Sequence, residues 1–526
     1  MRVPFLLLCL PLFSGGIEGR VITVPDDVPT VQSGLDEIGE RDTLFVHIGV
    51  YPENLQAPPF EFVMLGELSD DSTGYFRPLI DPTILETPDS TPVFRFPDNS
   101  LAMVENFEFQ NVGRKGIVCT GRGITLENCA VYSTVDGLVF DRDSLDALVS
   151  IKNSMFWGNT DYTVRISRGN RLRAIGSTFV GGGTDRSRSM VVSSESTIDS
   201  CYFTSEGSAG LLYCWSGNHV VTNCTFGPAV TRSIWDESIV DMGNGTIRFS
   251  DNVFVDCVHS KSVLEFQVAI GDSAEIVNNS FTHCIGADSL LTPRGTVYIE
   301  QGNAEGRGIL ISGNTFTECS SNQTVDDIFV VPFFPALIEN NRFIRDAQNG
   351  LPSIRSGSPF QPSPLTLRNN VWEDCGYAAS LYPPADARSN YWGDPSGPYH
   401  EFENPGGLGD TITGSMLFVP WLEDTVTSVE DSSPEVIEEF SIRAFPNPFN
   451  SRVTIEFTTA RLQEMELKIF DIQGRLVADL LNESRSSGSY TIEWDALATA
   501  SGTYFARLTG NSVWSASKVI KLALIK

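Results

Sequence analysis

IVNNSF (276–281), ISGNTF (311–316), IENNRF (338–343) and LRNNVW (367–372) are four copies of one phrase. Each runs from an apolar residue through Asn279, Asn314, Asn341 or Asn370 to an aromatic residue two places on. Working outward, the aromatic or branched anchor returns at Phe109, Val131, Phe156, Phe179, Phe203, Phe226, Phe254, Phe281, Phe316, Phe343, Trp372 and Trp392, at intervals of 20 to 35 residues. A period in this range marks stacked structural units rather than one closed core.

Two residues before the anchors stand Cys129, Ser154, Ser177, Cys201 and Cys224, then Asn252, Asn279, Asn314, Asn341, Asn370 and Asn390. If each turn of chain lies about 4.8 Å above the last, the six asparagines form a column. Their amides can then hydrogen-bond along it, and Asn also tolerates the left-handed backbone of a tight bend. Three residues after the anchors, Cys257, Cys284, Cys319 and Cys375 form a second column. Short apolar runs broken by Gly, Asn and Ser, without helical spacing, predict β-structure throughout. A tandem of antiparallel sandwiches would not hold Asn and Cys at one offset from the aromatic. The pattern therefore predicts an all-β protein, a right-handed parallel β-helix solenoid.

With those columns in view, residues 21–422 resemble the pectin-lyase-like superfamily of secreted β-helix proteins. VITVPDDVPTVQSGLDEIGERDTLFVHIGVYPENL, from Val21, is similar to the opening of many of them, pectin methylesterases included. It reads as strand, short helix, strand. Val31, Leu35 and Ile38 make one apolar face, and Thr30 is placed to cap the helix. Such a helix covers the open edge of the first coil. NYWGDPSGP (390–398) and NPGGLGDTITGSMLFVPWL (404–422) resemble the closing phrase of the same solenoids. Asp394 within it is read as a turn residue rather than a metal ligand.

The formal charge of −30 with a sequence pI near 4.5 points away from nucleic acid and anionic membranes and fits an acidic extracellular surface. Residues 1–16 have the form of a secretory signal peptide: Arg2, the apolar run Phe5 to Phe13, then Ser14 to Gly16. No other stretch is apolar enough to span a bilayer as a helix. Of ten cysteines, Cys9 falls in that leader. The other nine are expected to be stacked buried thiols, since parallel columns do not present the usual disulfide dihedral. Residues 423–440 carry seven acids and no base and read as a solvated linker. Residues 441–526 alternate as strands at 452–459, 464–471, 489–495 and 502–509, a small β-sandwich. FPNPFN (445–450), Asp471 with Gly474-Arg475, Trp494-Asp495 and Ser501-Gly502 with Tyr504 resemble the C-terminal sorting domain of the type IX secretion system. Ser451 departs from the Pro that often follows. The resemblance implies export across the outer membrane, with the secretion machinery as partner and a secreted or cell-surface location.

Fold alone does not fix function, because parallel β-helices host lyases, hydrolases, esterases and adhesins. Asn159-Thr160-Asp161 matches one element of polygalacturonase-like enzymes, but the Asp-Asp, Gly-His-Gly and Arg-Ile-Lys elements do not follow. Methylesterase-like and pectate-lyase-like motifs are also lacking. One basic cluster stands out in an acidic chain: Arg165, Arg168, Arg171, Arg173, Arg186 and Arg188. Arg165 and Arg188 both lie nine residues beyond their anchors, and Asp136 and Asp161 both five. Equal offsets place each pair on adjacent coils of one face. Asp136, Asp161, Arg165 and Arg188 form a candidate catalytic group, with Arg168, Arg171, Arg173 and Arg186 as candidate substrate contacts. Arg forks a uronate carboxylate, and a polarised Arg or a bound Ca2+ assists proton abstraction beside it. The five histidines are scattered and read as surface or loop residues. Three functions follow: binding of an extended polysaccharide on a lateral face, a polysaccharide lyase or glycoside hydrolase, and a non-catalytic adhesin or spacer.

Overall fold

The computed structural model describes residues 19–524 apart from 72–73, 83–90, 143–145, 183–187, 206–209, 232–237, 260–261, 269–271, 287–294, 302–307, 320–325, 332–335, 345–351, 357–364, 426–439, 446, 448, 460–462, 472–475, 486–487, 498, 500 and 512–515. The leader and most of the acidic linker therefore lie outside the described residues. The chain divides into two compact units, Met1–Thr425 and Val426–Lys526.

In the first unit successive coils pair in parallel and in the register that the anchors predict. Phe109 lies opposite Val131, Val131 opposite Phe156, and so on coil by coil to Phe343 opposite Trp372. These strands make one wall, a 13-stranded sheet. The other two walls are counted as one 29-stranded sheet because the long strand Tyr377–Asp386 pairs with both. From Phe156 to Trp392 the anchor rings stack inside the coil with centroids 4.5 to 5.5 Å apart. That interval is the strand spacing itself, about 4.8 Å.

The asparagine column is a continuous amide ladder. The Nδ2 of Asn252, Asn279, Asn314, Asn341 and Asn370 each donates to the Oδ1 of the next, at 2.9 to 3.0 Å, ending on Asn390. Each of those backbone N–H groups donates to the same oxygen. Ser154, Ser177, Cys201 and Cys224 hold the same slot lower down, where Ser177 Oγ accepts from the Ser154 N–H. The sequence reading gave both tasks, ladder and left-handed bend, to one residue. The structure separates them, for the positive φ belongs to the residue before: Asn106, Asn128, Asn153, Gly176, Ser200, Asn223, Asp251, Asn278, Gly313, Asn340, Asn369 and Ser389. Asn, Asp and Gly dominate there because the left-handed region crowds a Cβ.

All nine described cysteines are buried free thiols. In the second column Cys257, Cys319 and Cys375 donate to the carbonyl oxygens of Phe226, Phe281 and Phe343 one coil below. Burial pushes the Cys119, Cys129 and Cys214 thiols up to about 12. His219 is the exception to the surface reading of the histidines: it is fully buried, with Nδ1 2.9 Å from Ser196 Oγ.

At the N-terminal end the helix Val31–Glu37 packs on the first coil, capped by Thr30 and Ser33 in a reciprocal box. Glu53 accepts from the Val31 and Gln32 N–H groups, which supplies a carboxylate at the helix start. At the other end Asp394 Oδ1 accepts from the Ser396 N–H and Oγ, the turn read from the sequence.

Among its described residues the second unit has seven antiparallel strands. Phe440–Phe445, Arg452–Thr459 and Gly488–Asp495 form one sheet, and Leu476–Arg485, Gln463–Asp471, Gly502–Asn511 and Ala516–Leu524 the other. Val453, Ile455, Phe457 and Trp494 from the first share a core with Met465, Leu467, Ile469 and Leu508 from the second. Leu476–Arg485 escaped the sequence reading because LVADLLNESR does not alternate.

Candidate ligand-binding wall

The wall that follows the anchor strands is built from apolar-x-apolar triplets: Val164-Arg165-Ile166, Met190-Val191-Val192, Leu212-Tyr213-Cys214, Val240-Asp241-Met242, Leu264-Glu265-Phe266, Val297-Tyr298-Ile299 and Ile328-Phe329-Val330. The outer members enter the core. Strand alternation turns the middle member outward, and parallel register stacks these middle residues in a line. Arg165, Val191, Tyr213, Asp241, Glu265, Tyr298, Phe329 and Arg355 follow one another in register. Seven steps of strand spacing make a column about 34 Å long.

Outward-facing positions on a solenoid normally meet water, yet Asp241 is 5%, Glu265 1%, Tyr298 7% and Phe329 7% exposed. Of the eight buried Asp, Glu and Arg side chains among the described residues, six lie on this wall or at its leading edge: Asp136, Arg188, Asp241, Glu265, Asp326 and Asp327. Burying charge is costly unless it is compensated, so six on one wall is an arrangement that packing alone does not produce. Glu265 accepts from Ser238 Oγ at 2.7 Å. Arg355 lies 3.0 Å from Asp326. Burial pushes the Asp326 carboxyl up to about 7 despite that guanidinium. The Arg188 guanidinium sits 3.9 Å from the centre of the Tyr213 ring, and the ring of the exposed Trp215 is 5.6 Å from that of Tyr213. Tyr298 and Phe329 stack at 5.6 Å.

Asp136, Asp161 and Arg165 do come together at the lower end of this wall. The Asp161 N–H donates to the Val135 carbonyl, and the Tyr162 N–H donates to Asp136 Oδ1. Burial raises the Asp161 carboxyl, and the charge of Asp136 raises it further against the pull of Arg165. Arg188 is on the adjacent coil of the same wall, but at a different height: it lies opposite Tyr162, whereas Arg165 lies opposite Val191. The loop from Phe179 to Arg188 is three residues longer than that from Phe156 to Tyr162, so equal offsets from the anchors do not give equal heights. Arg171 and Arg173 belong to the next wall, in strand Arg171–Ile175, where Arg171 pairs with Asp146 at 2.8 Å. Arg168 is exposed between the two strands, and Arg186 lies outside the described residues. The basic cluster is thus spread round a corner instead of forming one strip. Asn159 is a bend staple, its Oδ1 accepting from the Thr134 hydroxyl at 2.6 Å. Among the described residues no three His, Cys, Asp or Glu side chains group together as a metal site.

The sequence reading missed Tyr213, Asp241, Glu265, Tyr298, Phe329, Arg355 and Asp326. The signal that finds Tyr213, Asp241, Glu265, Tyr298 and Phe329 is the triplet itself, a polar or aromatic residue held between two core residues; Asp326 lies two residues before its triplet and Arg355 is followed by Ser356, so neither carries that signal.

Residues 96–227 and 136–304 match the family described as right handed beta helix region, and residues 443–522 match the secretion system C-terminal sorting domain. The chain is a right-handed β-helix with a C-terminal sorting domain. In this β-helix protein the sorting domain is of the type IX kind and implies secretion machinery and a secreted or cell-surface location. Among solved structures, the chain is similar to tailspike protein 3 of bacteriophage CBA120, at 13% identity and a TM-score of 0.33, covering 75% of this chain and 58% of that one. It is also similar to the enzymatically active domain of tailspike protein 4 of the same phage, at 10% identity and a TM-score of 0.25, covering 92% and 62%. The chain thus spans about three fifths of the length of each of these two solved chains. No curated protein matches it. Among the described residues no helix is long and apolar enough to cross a membrane.

Proposed function

We propose that this protein is exported by the type IX machinery and binds an extended polysaccharide along the wall that runs from Arg165 to Arg355. The observation that carries this reading is the concentration of buried carboxylates, arginine and aromatic rings in one in-register column. Fixed polar groups beside aromatic faces are the usual make-up of a site for a polyhydroxylated ligand. A repeating surface suits a repeating ligand. Affinity electrophoresis of the full chain in gels containing soluble polysaccharides tests it. Retardation by at least one polymer, lost in Tyr213→Ala, supports the reading, and mobility unchanged in every gel defeats it.

A specific observation favours a second reading, hydrolysis or elimination. A carboxyl poised at about 7, Asp326, shares the wall with the carboxylates Asp241 and Glu265. Glycosidases use one carboxyl as proton donor and another as base or nucleophile. The Asp136, Asp161 and Arg165 group offers a separate place for proton abstraction from a uronate, where Arg188 contributes from the neighbouring position. New reducing ends lost in Asp326→Asn identify a hydrolase. Rising absorbance from unsaturated uronates, lost in Arg165→Ala, identifies a lyase.

A further inference from the structure

We infer that the C-terminal end of the solenoid docks an extended, basic polypeptide segment of another protein, which adds as a strand to the last coil. This site lies apart from the wall proposed to bind polysaccharide and does not depend on that reading. The last coil ends in the strand Gly409–Leu417. One edge of this strand pairs with Tyr377–Asp386 along its length. The opposite edge pairs only at its start, where Pro398 and Tyr399 lie opposite Gly409 and Thr411. Among the described residues nothing pairs with Ile412–Leu417 on that side. An open strand edge is a template for a further strand, and addition of an extended peptide to such an edge is a recurring mode of recognition. The first coil differs, because the helix Val31–Glu37 packs on it.

The side chains beside the open edge say what the added strand carries. Leu417 and Val419 point outward and are 61% and 59% exposed, while Phe418 between them is buried. The Phe418 ring lies 5.6 Å from His400, and His400 lies 6.4 Å from the ring of Phe402, which is 80% exposed. Three open apolar side chains thus gather where the unpaired edge ends, and apolar groups gathered on a surface mark a contact site. Around them the charge has one sign. Between Arg388 and Arg443 the sequence has eleven Asp and Glu and no Lys or Arg. Glu401, Glu403, Glu423 and Asp424 are exposed there, and Arg388 is held by Asp386 at 2.6 Å. A second copy meeting this end would set acid against acid. The chain's own linker, with seven acids and no base, carries the wrong charge as well. The complementary occupant is an extended segment in which apolar residues alternate with Lys or Arg.

The test uses the full chain and three labelled nine-residue peptides: one alternating Lys and Val, one alternating Glu and Val, and the Lys–Val peptide with a central proline. Binding is read by fluorescence anisotropy at moderate salt. The inference expects the Lys–Val peptide to bind at least tenfold more tightly than either of the others. Leu417→Lys and Phe402→Ser, exposed positions whose variants keep the parent circular dichroism, each weaken that binding at least fivefold. Equal binding of the Glu–Val peptide overturns the charge argument, and equal binding of the proline peptide overturns strand addition. Lys–Val binding unchanged in both variants shows attraction to the acidic chain at large and overturns the site. A dimer in light scattering that Leu417→Lys abolishes makes a second copy the occupant, which also overturns the inference, as does no binding of any peptide.

Discussion

Asn314 donates to the Ile276 carbonyl and to Asn341 while accepting two hydrogen bonds from Asn279. Asn314→Ala orphans both Asn279 donors in a dry core and is expected to cost about 3 kcal/mol, read from urea midpoints. Asn314→Ser should cost less, because Ser177 fills the same slot with one acceptor and one donor. His219 provides a pH dependence of known sign. Burial pushes its pKa down from 6.5 to about 4, with only the Ser216 backbone opposing. Between those values the unfolded chain takes up a proton that the folded chain refuses, so stability falls as pH drops through that window. The loss approaches about 3 kcal/mol near pH 4. Unfolding curves at pH 7 and pH 4.5 should differ by less in His219→Gln than in the parent. His283 has the opposite sign: the hydrogen bonds it donates to the Glu318 and Asp256 carboxylates raise its pKa, so what it contributes is present at low pH and fades as pH rises.

At the scale of one element, the outer wall carries charge at the expense of stability. The Asp326 carboxyl stands at about 7 against an ordinary 3.8, so the folded state resists the ionisation that the unfolded chain undergoes freely. Stability therefore falls as pH rises from about 4 to 7. Asp326→Asn removes that penalty and is expected to stabilise the protein at pH 8 by on the order of 2–4 kcal/mol. The gain should vanish below pH 4, and denaturant midpoints at the two pH values check it. At the capping helix, Thr30→Ala should lower stability by about 1 kcal/mol through loss of the reciprocal box. The anchor wall was legible from sequence because each of its positions has one occupant type: an aromatic at Phe281, Phe316 and Phe343, and an amide two places before. The binding wall was not, because the loops that lead into it differ in length from coil to coil. Arg165 and Arg188 show the consequence, nine residues beyond their anchors yet three positions out of register. What stays constant on that wall is the triplet around each outward residue.

For the whole molecule, the chain divides into two compact units. The solenoid presents a long face, and the second unit carries the sorting domain, residues 443–522, which implies secretion or a cell-surface location. Deleting residues 426–526 is expected to leave the β-helix folded and trapped inside the outer membrane of a type IX-competent host, as checked by cell fractionation and protease shaving. The sandwich was readable from FPNPFN and Trp494-Asp495 because turn and core positions of a small domain leave little freedom. The outward column was not readable, since its residues are far apart in the chain and meet only once the coils are stacked. The most direct measurement is a crystal structure of the full chain soaked with a fragment of whichever polymer it binds. The account predicts sugar rings lying parallel to the solenoid axis, across Tyr213 and Trp215 and above Asp241 and Glu265. Density for the sugar on either of the other two walls, with this one bare, would contradict it.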